Sequence, residues 1–168
     1  MKQDQNMGFS IKLRDFDMNG KHQTFYKEDE EKLNDVSILY IKGQGDEAFH
    51  DFIENPVYMV SDRMQEVLDM YEDELIFKRV VLVNKESNEQ KNYHNVLTDR
   101  IDGLSKEVLY YPDGTEQAVI LDSQKVKGHH VFQLDQVRGH YLIVSLEVVE
   151  SLLRRHIQGV IFKEVEVR

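Results

Sequence analysis

The sequence predicts a single α+β domain in which a mixed or antiparallel sheet is accompanied by few helices. Most apolar segments are short and rich in valine and isoleucine, as strands are. Only two longer segments place apolar residues on one face of an amphipathic helix: the first at the i, i+3, i+4 and i+7 spacing from Met64, and the second with Val148, Val149, Leu152 and Leu153. Because these two segments lie in related stretches of sequence, we expect the domain to contain two similar strand–helix–strand units.

The composition is that of one folded domain covering residues 1–168. Hydrophobic residues make up 40% of the chain, and only two prolines are present, so no low-complexity linker is expected. The absence of cysteine excludes disulfides, thiolate zinc sites and cysteine nucleophiles. It also favours a reducing compartment, and we expect a cytoplasmic location. No apolar run approaches the ~20 residues that span a bilayer, so no membrane insertion is expected.

The first part of the chain, residues 1–45, is predicted to be the more variable region. It contains strand candidates at 9–13 and 36–41, separated by a "DMNGK" turn and the acidic run "KEDEEKLND". A short helix over 46–53 is predicted to follow and to end before Pro56.

The first strand–helix–strand unit is predicted over residues 57–83. The strand "VYMV" leads to Ser61, a residue type that caps helices by accepting a backbone N–H. A helix of about three turns and the strand "LIFKRVVLV" follow. One face of this helix carries Met64, Val67, Leu68 and Tyr71.

The middle of the chain reads mostly as sheet. The segment "NKESNEQ" predicts a hairpin connection into the strand "KNYHNVL". Further strand candidates are "KEVLYY" and "EQAVILD", joined by a turn at 112–114, and "HHVFQLD" at 129–135.

The second unit is predicted over residues 140–167. The strand "HYLIV" leads to Ser145 as the helix cap, and the unit ends in the strand "GVIFKEVEV". With one inserted residue it aligns with the first unit. The matched pairs are Val60 with Val144, Ser61 with Ser145, Glu66 with Glu150, Leu68 with Leu152, Ile76 with Ile161, Phe77 with Phe162, Lys78 with Lys163 and Val80 with Val165. Neither unit can bury its apolar face alone, so we expect the two to share one core.

Three late histidines were the first candidates for a chemical site. His129, His130 and His140 lie close together in sequence, but adjacent residues of a strand point to opposite faces. No HExxH motif or helical histidine pair accompanies them. The glycine-containing segment "GQGDEAF" also lacks the spacing of a phosphate-binding loop. We therefore expect no metal and no cofactor.

A second cluster, between Tyr93 and Ser105, supplies the residue types that hydrolytic or transfer chemistry requires. Its members are Tyr93, His94, Asn95, Asp99, Arg100, Asp102 and Ser105. A small hydrolase or transferase that uses this cluster is the alternative to a non-catalytic function. For that alternative, the side chains must converge in one pocket.

Acidic residues form the densest charged segments. The formal net charge is -10, which disfavours nucleic-acid binding and favours a cationic partner. One acidic block follows the first predicted helix, where carboxylates oppose the helix dipole and therefore lack an obvious local stabilising role. The candidate partner-binding residues are Glu28, Asp29, Glu30, Glu31, Asp69, Glu72, Asp73 and Glu74.

Three segments, 55–83, 93–105 and 131–165, resemble in order the blocks of immunity protein family eleven of bacterial polymorphic toxin systems. The resemblance is best over residues 55–167. The matching positions are Val60, Ser61, Phe77, Asn95, Val96, Leu97, Asp102, Val144, Ser145 and Phe162.

This resemblance implies a small cytoplasmic protein without catalysis of its own that binds and occludes a cognate toxin domain. An acidic inhibitor would suit a basic partner such as a nuclease domain. A structural adaptor or homodimer, formed by pairing of exposed edge strands, is the remaining alternative.

Overall fold

In the part of the chain that the structure describes, the largest sheet has five strands, and two short helices pack beside it in an α+β fold, as predicted. The computed structural model describes residues 1–4, 25–41 and 49–168. In chain order the elements are β1 (Lys2–Gln3), a 3₁₀ helix (Lys27–Lys32), β2 (Val36–Ile41), β3 (Phe52–Ile53), β4 (Met59–Ser61), α1 (Asp62–Asp69), β5 (Ile76–Asn84), β6 (Gln90–Leu97), β7 (Arg100–Ile101), β8 (Ile120–Leu121), β9 (Val131–Leu134), β10 (Leu142–Val144), α2 (Leu146–Arg154), β11 (Val160–Ile161) and β12 (Glu166–Val167).

The five-stranded sheet has the order β2-β5-β6-β4-β3. β2 runs parallel to β5, and the other neighbours are antiparallel, so the sheet is mixed. Val80 and Leu82 of β5 are buried on one face, as the period of two requires. The β5–β6 hairpin closes where the Asn84 side chain accepts the Glu86 N–H at 3.0 Å and Asn88 adopts a positive φ of 58°.

The two related units are β4–α1–β5 and β10–α2–β11. Their helices begin at equivalent serines with nearly the same backbone conformation, with φ and ψ of −66° and 165° at Ser61 and of −70° and 163° at Ser145. The helices have 8 and 9 residues, so each is shorter than the three turns expected.

The two helices pack antiparallel to each other. Arg63, in the first turn of α1, donates a hydrogen bond of 2.8 Å to the carbonyl of Arg155, just beyond α2. Tyr71, just beyond α1, donates from its hydroxyl to Ser151 Oγ at 3.1 Å. Apolar side chains of both units fill one buried cluster between the helices and the strands. It includes Val60, Met64, Val67, Leu68, Val96, Val131, Leu142, Val148 and Leu152.

One predicted helix is wrong in the part that the structure describes. Within the expected helix at 46–53, Phe52 and Ile53 form β3, and residues 46–48 lie outside the described ranges. Both side chains are completely buried, and β3 pairs with β4 in the register Phe52 with Val60. The pairing satisfies backbone groups at this edge of the sheet and overrides the local helical pattern. The strand candidate at 9–13 and the "DMNGK" turn also lie outside the described residues.

The sheet elements of the second half are shorter than expected. The segment "GVIFKEVEV" forms β11, which pairs with β1, and β12, which pairs in parallel with β8. The predicted strand pair around 112–114 is reduced to a single bridge between Tyr110 and Glu116, although the turn is present, with a Gly114 N–H bond of 2.8 Å to Tyr111. Among the described residues, neither helix has the length and apolarity needed to cross a bilayer.

The shared core makes a prediction about stability. Leu152→Ala removes a side chain that is 0% exposed, and we expect the free energy of unfolding to fall by about 2–5 kcal/mol. Leu153→Ala, at the next position and 57% exposed, is the matched control and should change stability by less than about 0.5 kcal/mol. Urea denaturation followed by circular dichroism measures both. Equal losses for the two variants would contradict the described packing of α2.

Candidate functional site

The first acidic segment forms the 3₁₀ helix, and Asp29 organises its first turn. The Asp29 carboxylate accepts the Tyr26 N–H at 3.1 Å, and the Asp29 N–H donates to the Tyr26 carbonyl at 2.9 Å. A hydrogen bond from Lys32 to the carboxylate lowers the pKa of Asp29 below its ordinary value. Asp29 is therefore ionised at neutral pH and is engaged within its own helix.

Lys27 joins the two acidic segments. Its N–H donates to the Thr98 carbonyl at 3.1 Å, which fixes the 3₁₀ helix beside the end of β6. Its ammonium group lies 2.7 Å from Asp99 and 3.1 Å from Glu74. Burial opposes the charge of Lys27, but the hydrogen bonds to both carboxylates raise its pKa above the ordinary value. One cation thus holds the segment that follows α1 against the 3₁₀ helix.

Two further cations fix the same region. Lys78 of β5 contacts Glu30 at 3.0 Å and Asp35 at 2.8 Å, and Arg100 contacts Glu28 and Asp135, each at 3.4 Å. Acidic side chains outnumber these bases. We call the group the acidic cluster, which consists of Glu28, Asp29, Glu30, Glu31, Asp35, Asp69, Glu72, Asp73, Glu74, Asp99 and Asp135.

The segment after α1 contains two kinds of carboxylate. Glu72 accepts the backbone N–H of His130 at 3.1 Å, and Glu74 pairs with Lys27, so both have structural partners. Asp69 and Asp73 are exposed and make no side-chain hydrogen bond or ion pair within the described part of the chain. Glu31 of the 3₁₀ helix is likewise exposed and unpaired there. These three carboxylates are available to a partner.

The two predicted cap serines make different contacts. Ser61 Oγ accepts the Met64 N–H at 3.3 Å and donates to Asp51 at 2.6 Å. Ser145 occupies the N-cap position of α2, but its hydroxyl does not cap the helix. It lies 3.0 Å from Nδ1 of His130 instead, because the Ser145 N–H bonds the His130 carbonyl and brings the two residues side by side.

The histidines lie in separate environments. His129 packs against the ring of Phe132 at 6.1 Å, whereas His130 contacts Ser145 and the ring of Tyr71. His140 lies apart from both, in the lining of a small cavity of about 140 Å³. Across residues 1–4, 25–41 and 49–168, no three histidine or carboxylate side chains are grouped closely enough to hold a metal ion.

The cluster between Tyr93 and Ser105 does not converge. Tyr93 is 1% exposed and its hydroxyl donates to the His50 carbonyl at 2.5 Å, while His94 on the opposite face of β6 lies 2.8 Å from Asp62. Asp102 pairs with Lys125 at 3.1 Å. Burial raises the pKa of the Tyr93 hydroxyl, so this group stays protonated and structural. The condition set for an enzyme that uses this cluster is therefore not met.

Two cavities lie at the surface of the described residues. One, of about 140 Å³, is lined by Arg100, Asp135, His140 and Tyr141, and Arg100 is its only member from the candidate catalytic cluster. The other is a groove of about 610 Å³ between α2 and the C-terminal segment. Most of its lining side chains are apolar, a feature that the sequence did not reveal because the lining residues come from distant parts of the chain.

The contacts of the acidic cluster predict unequal effects of neighbouring substitutions on stability. Glu72→Ala leaves the half-buried His130 N–H without its acceptor, and we expect the free energy of unfolding to fall by about 1–3 kcal/mol. Asp73→Ala, one residue away and exposed, should change it by less than about 0.5 kcal/mol. Urea denaturation tests both, and a larger loss for Asp73→Ala would show that the assigned structural and free carboxylates are reversed.

No curated protein matches this chain. The model of the Immunity protein family (Imm11) matches residues 18–167, a range that includes both acidic segments and both strand–helix–strand units. The resemblance found in the sequence is thus confirmed. The chain belongs to the Immunity protein family (Imm11).

Proposed function

We propose that this protein binds a cognate bacterial toxin domain and neutralises it by occlusion through the acidic cluster. The observation that carries the proposal is the contact of Lys27 with both Asp99 and Glu74. Through this contact, two acidic segments that are more than forty residues apart in sequence meet on one side of the molecule. Membership in an immunity protein family supports the toxin as the partner.

The charges of the cluster suit a basic partner. Lys27, Lys78 and Arg100 hold many of the carboxylates in place before any partner arrives, which reduces the ordering cost of binding. The surplus negative charge would steer a cationic surface and oppose an anionic one. A nuclease domain, whose substrate groove is basic, is the toxin class that this field fits best. Inhibition by covering such a groove requires no catalytic group in the immunity protein.

A homodimer or adaptor is a second candidate, supported by the edge of the five-stranded sheet. Within residues 1–4, 25–41 and 49–168, β2 is the terminal strand of that sheet, and its Val36 and Ile38 are exposed. Such an edge can pair with another chain. Light scattering decides this point, because a strict monomer at micromolar concentration would exclude the pairing.

Co-expression tests the main proposal. Candidate toxin domains encoded in the same operon would be expressed in the cytoplasm of a bacterial host, with and without this protein. We expect the immunity protein to restore growth and to copurify with the toxin domain. If growth is not restored and no stable complex forms, the proposed function is wrong.

Asp69 and Asp73, two of the three free carboxylates, should contribute to binding without contributing to folding. We expect Asp69→Lys and Asp73→Lys, separately and together, to weaken binding of the toxin domain by about three- to tenfold per site, with little change in stability. The matched control is Glu86→Lys in the β5–β6 turn, about 25 Å along β5 from Lys78.

Calorimetric titration at low and high salt measures these effects. The losses for Asp69→Lys and Asp73→Lys should shrink as salt screens the exposed charges. Equal losses for Glu86→Lys would show that net charge matters and that the acidic cluster is not the contact region.

A further inference from the structure

The two edges of the five-stranded sheet differ. In the described part of the chain, the sheet ends at β3 on one side and at β2 on the other. β3 has two residues, and both side chains are 0% exposed, so it offers little to a further strand. β2 has six residues and contains no charged residue and no proline. Short strands, charges and proline are the usual means by which proteins keep a sheet edge from pairing, and β2 has none of them.

The outward backbone groups of β2 belong to alternate residues. β2 runs parallel to β5, and the Arg79 N–H donates to the Asp35 carbonyl at 3.1 Å. Because alternate residues of a parallel strand bond the same neighbour, the odd-numbered residues of β2 face β5. The even-numbered residues direct their N–H and C=O groups away from the sheet, and these are Val36, Ile38 and Tyr40. Within residues 1–4, 25–41 and 49–168, no residue bonds these outward groups.

The side chains of the same three residues lie on one face of the sheet and form an apolar surface. Val36 is 55% exposed and Ile38 is 58% exposed, and the ammonium group of Lys85 lies 3.8 Å from the centre of the Tyr40 ring. β2 thus combines unpaired backbone groups with exposed apolar side chains, the two features by which a sheet edge accepts another strand.

Two copies of β2 complement each other when they run antiparallel about a two-fold axis at Ile38. Ile38 then lies opposite Ile38 of the second copy, and Val36 lies opposite Tyr40 of the second copy. In this register every residue with outward groups belongs to a pair that exchanges both N–H···O bonds. The apolar side chains of both copies lie on the same face and pack across the strand pair.

The charges near β2 permit this pairing although the chain has a formal net charge of -10. Asp35, which precedes β2, contacts Lys78 at 2.8 Å. In the antiparallel register the two copies of Asp35 lie about 20 Å apart along the strands, beyond the Debye length of about 8 Å at physiological ionic strength. Lys85, beside Tyr40, lies at the end of β2 where β2 of the second copy begins, just after its own Asp35. Opposite charges therefore approach each other there.

We propose that two copies of this chain associate through β2 in the antiparallel register centred on Ile38. This inference rests on the homodimer candidate, gives it a strand and a register, and does not require toxin binding. A cationic toxin suits this edge less well, because β2 carries no acidic side chain to attract it.

A single introduced cysteine reports the register, because the chain contains no cysteine of its own. Ile38→Cys places two thiols opposite each other, at a Cα separation of about 5.5 Å that a disulfide can bridge. Val36→Cys, on the same face and similarly exposed, is the matched control, since its two copies lie about 13 Å apart along the strands. We expect mild oxidation to link most of the Ile38→Cys protein into dimers and little of the Val36→Cys protein. Equal linking of the two variants, or none, would overturn the inference.

Sedimentation velocity across the micromolar range measures the association itself. We expect the unaltered protein to form a dimer, and Ile38→Lys to weaken dimerisation at least about tenfold because it places like charges directly opposite each other. Leu153→Lys, at a position of α2 that is 57% exposed, makes the same change and should leave the dimer intact. A strict monomer of the unaltered protein, or equal losses for the two variants, would show that β2 does not pair in this way.

The toxin proposal and the dimer inference fail separately. Asp69→Lys and Asp73→Lys should weaken binding of the toxin domain and leave dimerisation of the free protein unchanged. If Ile38→Lys weakens toxin binding but not self-association, the toxin occupies β2 and the dimer inference is wrong. Failure to restore growth in the presence of an intact dimer removes the toxin proposal alone.

Discussion

The packing of α1 against α2 is the interaction on which the rest of the structure depends. Helices of 8 and 9 residues are too short to be stable in water by themselves. Each is held because its apolar face closes the same core, with Leu68 and Leu152 fully buried at equivalent positions of the two units. The antiparallel arrangement of this pair also decides which helix ends are neighbours, and hence where the charged segments lie.

The contacts that the helix pairing allows offset part of the unfavourable interaction between the acidic segment and the dipole of α1. Carboxylates beside a helix C-terminus are unfavourable, but Glu72 bonds a backbone N–H next to the start of α2, and Glu74 pairs with Lys27. Asp69 and Asp73 have no such compensation within the described residues. Residues that reduce local stability without a structural benefit are common at functional sites, and these two are the part of the segment that folding does not explain.

The sequence was sufficient to predict what depends on local pattern. The helical spacing around Met64 and Val148 and the hairpin after Asn84 were visible because each is encoded within about ten residues. β3 was missed because its strand character comes from pairing with β4 and from complete burial of Phe52 and Ile53. The contact of Ser145 with His130 likewise depends on the β9–β10 pairing.

The candidate residues were predictable by charge, but their roles were not. Nothing near Lys27 in sequence indicates that it contacts Glu74, and nothing near Glu72 indicates the His130 N–H. These contacts separate the structural carboxylates from the free ones, and they require the folded arrangement of distant segments. The groove was unpredictable for the same reason, since its walls come from α2, the β9–β10 pair and the C-terminal segment.

The two strand–helix–strand units share one fold but differ in charge where their helices end. Equivalent residues such as Leu68 and Leu152 form the core, whereas the helix ends carry opposite charges. Because the helices are antiparallel, Asp69 and Asp73 lie at one end of the helix pair. The basic segment Arg154, Arg155 and His156 lies at the other end. A cationic partner is therefore attracted to one end and repelled at the other. This asymmetry would turn the acidic cluster toward an approaching cationic surface.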